Sequence, residues 1–441
     1  MNISYLNSYS GISIIDNSCE YSFSDLFAKI KYYENEFKEY NNQIIAIISD
    51  FSFETIAVLL ALSNSSNSIV PIVFTTEEEV QKKLIISKVN VKFTFDKQRK
   101  LNKEVLFLND DQIINKSGVI LFSSGTTGDP KMMFHEHAKL FKVLDNKTKK
   151  QRSLRILLFL MFDHIGGINT LLNCLKDGST IVIPSERTPH YIVDLIFRYG
   201  VNVLPTTPTF LNLMLIGDLS FEDKLKSLKL ISYGTERMPE SVLKRIKLTF
   251  PGIRLLQTFG TSETGILKTI SKSSESLFFK FEDERYEHKI IDNILYIKSN
   301  LNISGYLNTE NSKFDSEGWY NTGDIVESDD DGFLRIVGRI NEVINVGGLK
   351  VMPNEVESIL MQHEGIIDCL VFGQTNPITG QMVSAKIVVD KNHFTNFSEF
   401  DIKHNIKNYC KLSLDKYKIP AKILLAEKLE YTTRFKKNIK L

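Results

Sequence analysis

Beginning at Ile44, the run IIAIISDFSFETIAVLLALSNSSNSIVPIV passes from a wholly apolar stretch through a turn to a helix-length stretch with small residues, then to a second apolar stretch. Strands buried on both faces are near-continuous in hydrophobic residues, and two of them joined by a helix make a β-α-β unit. The alternation returns at SGVILFSSG, at LRILLFLMF followed by GGINTLLNCL, at STIVIP followed by YIVDLIFRY, and at LKLISYG followed by SVLKRIKLTF. Repetition of this kind predicts an α/β fold, a mostly parallel sheet covered by helices on both faces. Ligands in such sheets bind outside the carboxyl ends of the strands. SSGTTG, SYGTE and QTFGTSETG fall at those ends.

From about Phe278 the texture changes to short alternating strands, ILYIKS, GWYNTGDIVES and FLRIVGR, which predicts a small antiparallel β subdomain over about 278–338. Beyond Arg339 a helix near Pro353, strand-like CLVFG and AKIVVD, a helix through Ile406 and Cys410 and a last strand near Ile423 predict a separate α+β lobe. With 441 residues the chain is too long for one ordinary core. The expected division is a large domain over 1–338, its strand-helix core starting near Tyr21, and a small mobile domain over 341–441, with the boundary at Asn341.

Balanced charge, 54 basic against 53 acidic side chains, argues against nucleic acid or anionic lipid as a partner. Cys19, Cys174, Cys369 and Cys410 lie far apart without C-x-x-C spacing, which disfavours a zinc site and a disulfide framework. MNISYLNSYSGISIIDNS has no basic start followed by an apolar stretch, so a cytoplasmic protein is expected. The longest strongly apolar run, Ile156 to Phe162, is far short of a bilayer span and is expected to be a core strand.

The strongest local signal is Ser123-Ser124-Gly125-Thr126-Thr127-Gly128-Asp129-Pro130-Lys131, directly after the apolar VILF. Gly125 and Gly128 let the backbone approach a phosphate closely, successive N–H groups can form an anion-binding nest, and the hydroxyls add donors beside Lys131. A triphosphate is the natural guest. The run does not match the G-x-x-x-x-G-K-[ST] loop, since Lys131 follows a proline.

With these residues in view the chain resembles the adenylate-forming enzymes, the superfamily of acyl-CoA ligases, peptide-synthetase adenylation domains and luciferases. SSGTTGDPK resembles their phosphate loop, and His137 falls where the family often has a histidine. Tyr233-Gly234-Thr235-Glu236 resembles the segment that lines adenine. Thr258-Phe259-Gly260-Thr261-Ser262-Glu263-Thr264 resembles Y-G-x-T-E, Tyr320-Asn321-Thr322-Gly323-Asp324 is similar to Y-x-T-G-D, and Gly338-Arg339 to the G-R-x-D hinge.

The resemblance implies ATP, Mg²⁺ and coenzyme A as cofactors, and a carboxylic acid as substrate. It implies Glu263 as the metal-holding carboxylate, with Ser262 beside it in the catalytic set. Ser123, Ser124, Gly125, Thr126, Thr127, Gly128 and Lys131 would hold phosphate. Gly234, Thr235, Glu236, Thr258, Phe259 and Gly260 would surround adenine, with Phe259 offering an aromatic face. Asp324 and Arg339 would take the ribose, Arg339 also suiting phosphate through its fork of donors.

A catalytic lysine is implied near the C-terminus, where L-P-x-T-x-x-G-K resembles Leu429-Glu430-Tyr431-Thr432-Thr433-Arg434-Phe435-Lys436-Lys437 without its proline and glycine. The count from Leu429 and Thr432 gives Lys436, the expected catalytic lysine; the count from Thr433 gives Lys437. His164, Gly166 and Gly167 resemble an acyl-site segment, and Asp163 leaves an amino-acid substrate open. Asn341 stands at the hinge, and Gly347 and Gly348 resemble the segment lining a pantetheine tunnel. Coenzyme A is the expected acceptor, with a carrier-protein phosphopantetheine acting in trans as the alternative. A catalytically inactive nucleotide-binding protein is the alternative from another class.

Overall fold

A computed structural model of the chain describes residues 3–106, 116–123, 130–145, 150–217, 223–283, 285–303, 305–310, 313–432 and 437. Two mostly parallel sheets come first. One runs in the order Arg254–Gln257, Leu230–Tyr233, Val203–Thr206, Arg155–Leu157, Thr180–Ile183, Ile12–Asp16, Cys19–Ser22, with only the last pair antiparallel. The other runs Leu101–Val105, Val91–Phe95, Ile44–Ile48, Ser68–Ile72, Gly118–Phe122, Met132–Glu136, antiparallel at both edges.

Successive strand residues point to opposite faces, so Ile14 and Ile181 enter the layer between the sheets while Ile15 and Val182 enter the layer on the far side. The helices Phe53–Leu62 and Ile165–Asp177 fill the middle layer. All of Phe53–Leu62 except Glu54 is buried, as a helix apolar on every side must be. Ion pairs tie the sheets together, Arg187 to Asp50 at 2.7 Å and Arg99 to Asp16. Asp16, 3% exposed, accepts from the Phe53 N–H at 3.0 Å and from both terminal nitrogens of Arg99, which sits in the turn between Val91–Phe95 and Leu101–Val105.

The third sheet is antiparallel, ordered Thr269–Ser271, Phe279–Phe281, Leu334–Arg339, Tyr320–Ser328, Ile294–Ser299, Tyr286–Ile291, over its own core of Phe259, Leu267, Phe279, Leu295 and Ile297. The last lobe pairs Gly380–Val389 with Ile366–Asn376, Ile344–Val346 and Lys422–Ala426, and packs the helices Pro353–Leu360 and Glu399–Cys410 around Val356, Ile387 and Ile406.

Three expectations change. The core does not begin near Tyr21: Ile12–Asp16 already lies in the sheet, parallel to Thr180–Ile183. Asn17 and Ser18, both at positive φ, close the tight hairpin to Cys19–Ser22, and a turn so short leaves little punctuation in sequence. The run Ile156 to Phe162 is not one strand. Pairing ends at Leu157, the Phe159 N–H turns back to the Leu157 carbonyl at 2.9 Å, and Leu158, Phe159 and Phe162 stay apolar because they are buried. The antiparallel sheet starts before residue 278, because Thr269–Ser271 joins its edge. Among the described residues no helix is long and apolar enough to cross a membrane.

Arg99→Met would leave the Asp16 carboxylate buried with a single amide donor. We expect a loss of about 3 kcal/mol, read as a lower urea midpoint with an unchanged far-ultraviolet circular dichroism spectrum.

Candidate active site

The strand Gly118–Phe122 delivers Ser123 to the carboxyl edge of its sheet. The Ser123 N–H donates to the Lys131 carbonyl at 3.0 Å, and the Lys131 N–H donates to Ser123 Oγ at 3.2 Å. The two ends of the Ser/Gly/Thr run are thereby joined at a neck; Ser124, Gly125, Thr126, Thr127 and Gly128 lie outside the described residues. Asn308 braces that neck. Its Oδ1 accepts from the Met132 N–H at 2.8 Å, its Nδ2 donates to the Pro130 carbonyl at 2.9 Å, and the Leu307 N–H donates to the Met132 carbonyl at 3.0 Å.

Two residues earlier, Tyr306 donates its phenol to Glu263 Oε1 at 2.8 Å, while the Lys131 ammonium lies 4.9 Å from the centre of the Tyr306 ring. Burial, then Glu263, raises the Tyr306 phenol, so it stays a donor. Burial, then the nearby Glu263, raises the Tyr320 phenol as well. The Glu263 backbone is held as well, its N–H on Thr261 Oγ1 at 3.2 Å and its carbonyl taking the Ile303 N–H at 2.9 Å. The His135 imidazole, close to Ser262 and Glu263, is pushed down to about 4 by burial. Among the described residues no group of three His, Cys, Asp or Glu could hold a metal. A cation at Glu263 would take its other ligands from phosphate and water, as Mg²⁺ does.

At the neighbouring strand ends, Gly234 faces Thr258 so closely that a Cβ would lie 2.5 Å from its hydroxyl oxygen. Thr235 has φ +69, an outlier for a β-branched residue, and its buried hydroxyl has no partner among the described residues. Strain of this kind costs about 1–3 kcal/mol and collects at ligand sites. Glu236 Oε1 takes the Thr209 N–H at 2.6 Å, in the first turn of the helix Pro208–Ile216. Thr258 donates its N–H and its hydroxyl to the Tyr233 carbonyl, at 2.8 and 3.1 Å. Gly260 lies in a hairpin where a Cβ would meet the Gly265 carbonyl oxygen at 2.4 Å. Phe259 differs from expectation. It is 6% exposed, its ring stacked on Phe279 at 5.8 Å and edge-on to Phe281, so the core takes most of the face expected for a ligand.

Asp324 and Arg339 face each other across paired strands. Asp324 is 2% exposed; its Oδ1 accepts from Arg339 Nε at 2.8 Å, and its Oδ2 has no partner among the described residues. Burial raises this carboxyl, against the pull of Arg339. A buried carboxylate oxygen left open beside a half-exposed guanidinium suits a vicinal diol.

Other expected residues have local duties. His164 caps the helix Ile165–Asp177, its Nδ1 accepting from the Gly166 N–H at 3.0 Å. A Cβ on Gly167 would lie 2.2 Å from the Met161 carbonyl oxygen, and one on Gly166 2.7 Å from Leu160 Cδ1, so the close approach they allow here is to the chain itself. Asp163 is 6% exposed, with Lys83 Nζ 3.9 Å from its Oδ2. Gly347 and Gly348, at φ +59 and +90, form the two-residue turn between Ile344–Val346 and Leu349–Val351. Asn341 is exposed in the short 3-10 turn Ile340–Glu342, without the positive φ that would mark an unusual backbone.

Lys436 lies outside the described residues, but Lys437 does not. Its ammonium donates to Asp368 Oδ1 at 2.8 Å and to the Cys369 carbonyl at 2.6 Å. Burial opposes the charge, yet Glu357 and Asp368 outweigh it and raise the pKa. Tyr431 donates to the other oxygen of Asp368, and its phenol is raised by burial, by Asp368 and, more weakly, by Glu236. The sequence alone missed Tyr306 and Asn308; the Gly-Tyr-Leu-Asn string at 305–308 was their only signal.

A family model described as AMP-binding enzyme matches residues 73–287, and one described as AMP-binding enzyme C-terminal domain matches 355–436. The chain belongs to this family, the adenylate-forming enzymes, and within it is most like the acyl-CoA ligases. It is 28% identical to the peroxisomal OPC-8:0-CoA ligase 1 of Arabidopsis thaliana, over 62% of this chain and 55% of that protein. It is 25% identical to the fatty acid–acyl-carrier-protein ligase MmaC of Mycobacterium marinum, over 71% of this chain and 65% of that one. The alignments thus span less than two thirds of these relatives. In fold it matches the anthranilate CoA ligase AuaEII, solved with anthranoyl-AMP, at a TM-score of 0.81 and 18% identity, covering 99% of this chain and 95% of that one.

Gly167→Ala would drive a methyl group into the Met161 carbonyl. We expect a loss of about 2 kcal/mol, seen as a lower melting temperature.

Proposed function

We propose that the chain activates a carboxylic acid with ATP and passes the acyl group to coenzyme A. In the first half-reaction the substrate carboxylate attacks the α-phosphorus, the bond to the β-phosphate oxygen breaks, and an acyl-adenylate and pyrophosphate form. In the second, a thiolate attacks the acyl carbonyl and AMP leaves with the carboxyl oxygen. The observation that carries this reading is the meeting of Lys131 and Glu263 on either side of Tyr306, beside the Ser123–Lys131 neck. A phosphate-seeking ammonium and a cation-seeking carboxylate stand one side chain apart.

On this reading Lys131 and the run from Ser123 to Gly128 take the phosphates, and Glu263 takes Mg²⁺, which would draw charge from the phosphate oxygens. The open Asp324 oxygen accepts from ribose hydroxyls, with Arg339 alongside. Adenine lies along Gly234–Glu236, with Thr258 and Gly260 behind it and only a remnant of the Phe259 ring available. Lys436 stabilises the charge that builds at the α-phosphate; the anchoring of Lys437 to Asp368 supports Lys436 as the lysine left for the reaction. The acyl group lies beside His164, Gly166 and Gly167. Asp163, which would have to meet an α-ammonium, already has Lys83 beside it, so fatty, aryl or hydroxy acids are favoured over amino acids.

The division into 1–338 and 341–441, turning at Asn341 to bring Gly347 and Gly348 toward pantetheine, belongs to the same proposal, with the cytoplasm as its compartment. A second acceptor, the phosphopantetheine of a carrier protein, is favoured by the likeness to MmaC.

The test is exchange of labelled pyrophosphate into ATP across a panel of acids, followed by addition of coenzyme A or a carrier bearing a free phosphopantetheine thiol. We expect acid-dependent exchange and a coenzyme A thioester. A thioester on the carrier alone would select the second acceptor, and Mg·ATP binding without exchange for any acid would favour an inactive nucleotide-binding protein. Lys436→Ala should lower exchange by about a hundred-fold or more, the scale of one electrostatic group lost from a transition state. Binding of Mg·ATP should stay within about two-fold, since a contact made only in the transition state does not contribute to it.

A further inference from the structure

Glu263 and Lys131 are groups of opposite sign at the mouth of one site. In a partly buried setting such charges attract strongly, and a direct ion pair between them would neutralise both and have to be broken before a metal–triphosphate could enter. Tyr306 occupies the space where that pair would form. Its phenol oxygen bonds Glu263 Oε1 at 2.8 Å, and its ring face receives the Lys131 ammonium at 4.9 Å from the centroid. The ring cannot swing aside with its loop. Tyr306 bridges to Met133, and Leu307 and Asn308 bond the same strand one residue earlier. A phenylalanine could fill this space and take the cation, but only a tyrosine also orients the carboxylate.

We infer that Tyr306 is a positioning residue that keeps Glu263 and Lys131 apart and aims the Glu263 carboxylate at the metal of a bound metal–triphosphate. The inference rests on the nucleotide-activating function proposed above. Both contacts to Tyr306 are weaker than an ion pair, so Mg·ATP enters without first separating two full charges, and the Tyr306 bond to Glu263 Oε1 stays in place as it binds. Tyr306 touches neither nucleotide nor substrate in this role; it acts through Glu263.

The test is calorimetric titration of wild-type protein and of Tyr306→Phe with Mg·ATP and, separately, with ATP in the presence of a chelator. Tyr306→Phe is expected to bind Mg·ATP about ten-fold more weakly, the scale of one hydrogen bond to a charged group. Metal-free ATP should bind it as it binds the wild type, because Lys131 keeps its ring. Tyr306→Leu should lose affinity for both. Melting curves for each variant separate this from a general loss of structure, which would weaken both forms of ATP together with the melting temperature. Equal Mg·ATP affinity in wild type and Tyr306→Phe, or an equal penalty with and without metal, would overturn the inference alone. A wild-type protein that binds no Mg·ATP would overturn it together with the proposed function.

Discussion

An edge strand presents a row of amides and carbonyls that must be covered. In this chain the free side of Met132–Glu136 is covered by residues 306–308, through the Tyr306 bridge to Met133, the Leu307 N–H and the side chain of Asn308. The arrangement at the candidate site follows from that seam. It joins an edge of the second helical sheet to the connection between Ile294–Ser299 and Tyr320–Ser328 of the antiparallel sheet, so that Lys131 at the start of one and Tyr306 on the other meet over Glu263. The same seam braces the neck formed by Ser123 and Lys131. Asp324 and Arg339 sit on adjoining strands of the sheet that the seam secures.

Much of the fold was legible in sequence because its central strands are buried on both faces, and such strands advertise themselves as unbroken apolar runs. The helix Phe53–Leu62 could be read for the same reason. What escaped was set by pairing: the strand Ile12–Asp16 hides before a two-residue turn, and the apolar run from Ile156 outlasts its strand because burial, unlike pairing, continues to Phe162. In the site, motif residues with backbone consequences came through best. Gly234 and Gly260 are glycine because the next strand leaves no room for a Cβ. Tyr306 and Asn308 were illegible because their importance lies in partners more than forty residues away.

Other motif residues turn out to have a structural duty that would preserve them without any ligand. His164 caps a helix, Gly167 lets that helix press against the Met161 carbonyl, and Gly347 and Gly348 make a hairpin turn. Sequence patterns cannot separate such duties from contacts with a substrate, since both select the same residue. The pair of terminal lysines shows the opposite case. Counting along the chain favoured Lys436 over Lys437, and the structure gives Lys437 a structural anchor on Asp368.

The Asp16–Arg99 tie has a consequence for how the molecule comes apart. One continuous core runs between the two helical sheets, and the tie fastens their strands across it, whereas the last lobe closes around a core of its own. Neither helical sheet can shed its inner helices without exposing the other. Heat should therefore melt the two sheets in one cooperative transition, with a second calorimetric peak belonging to the last lobe, and slow amide exchange should be shared by Ile14, Ile47 and Ile181 although they lie far apart in sequence.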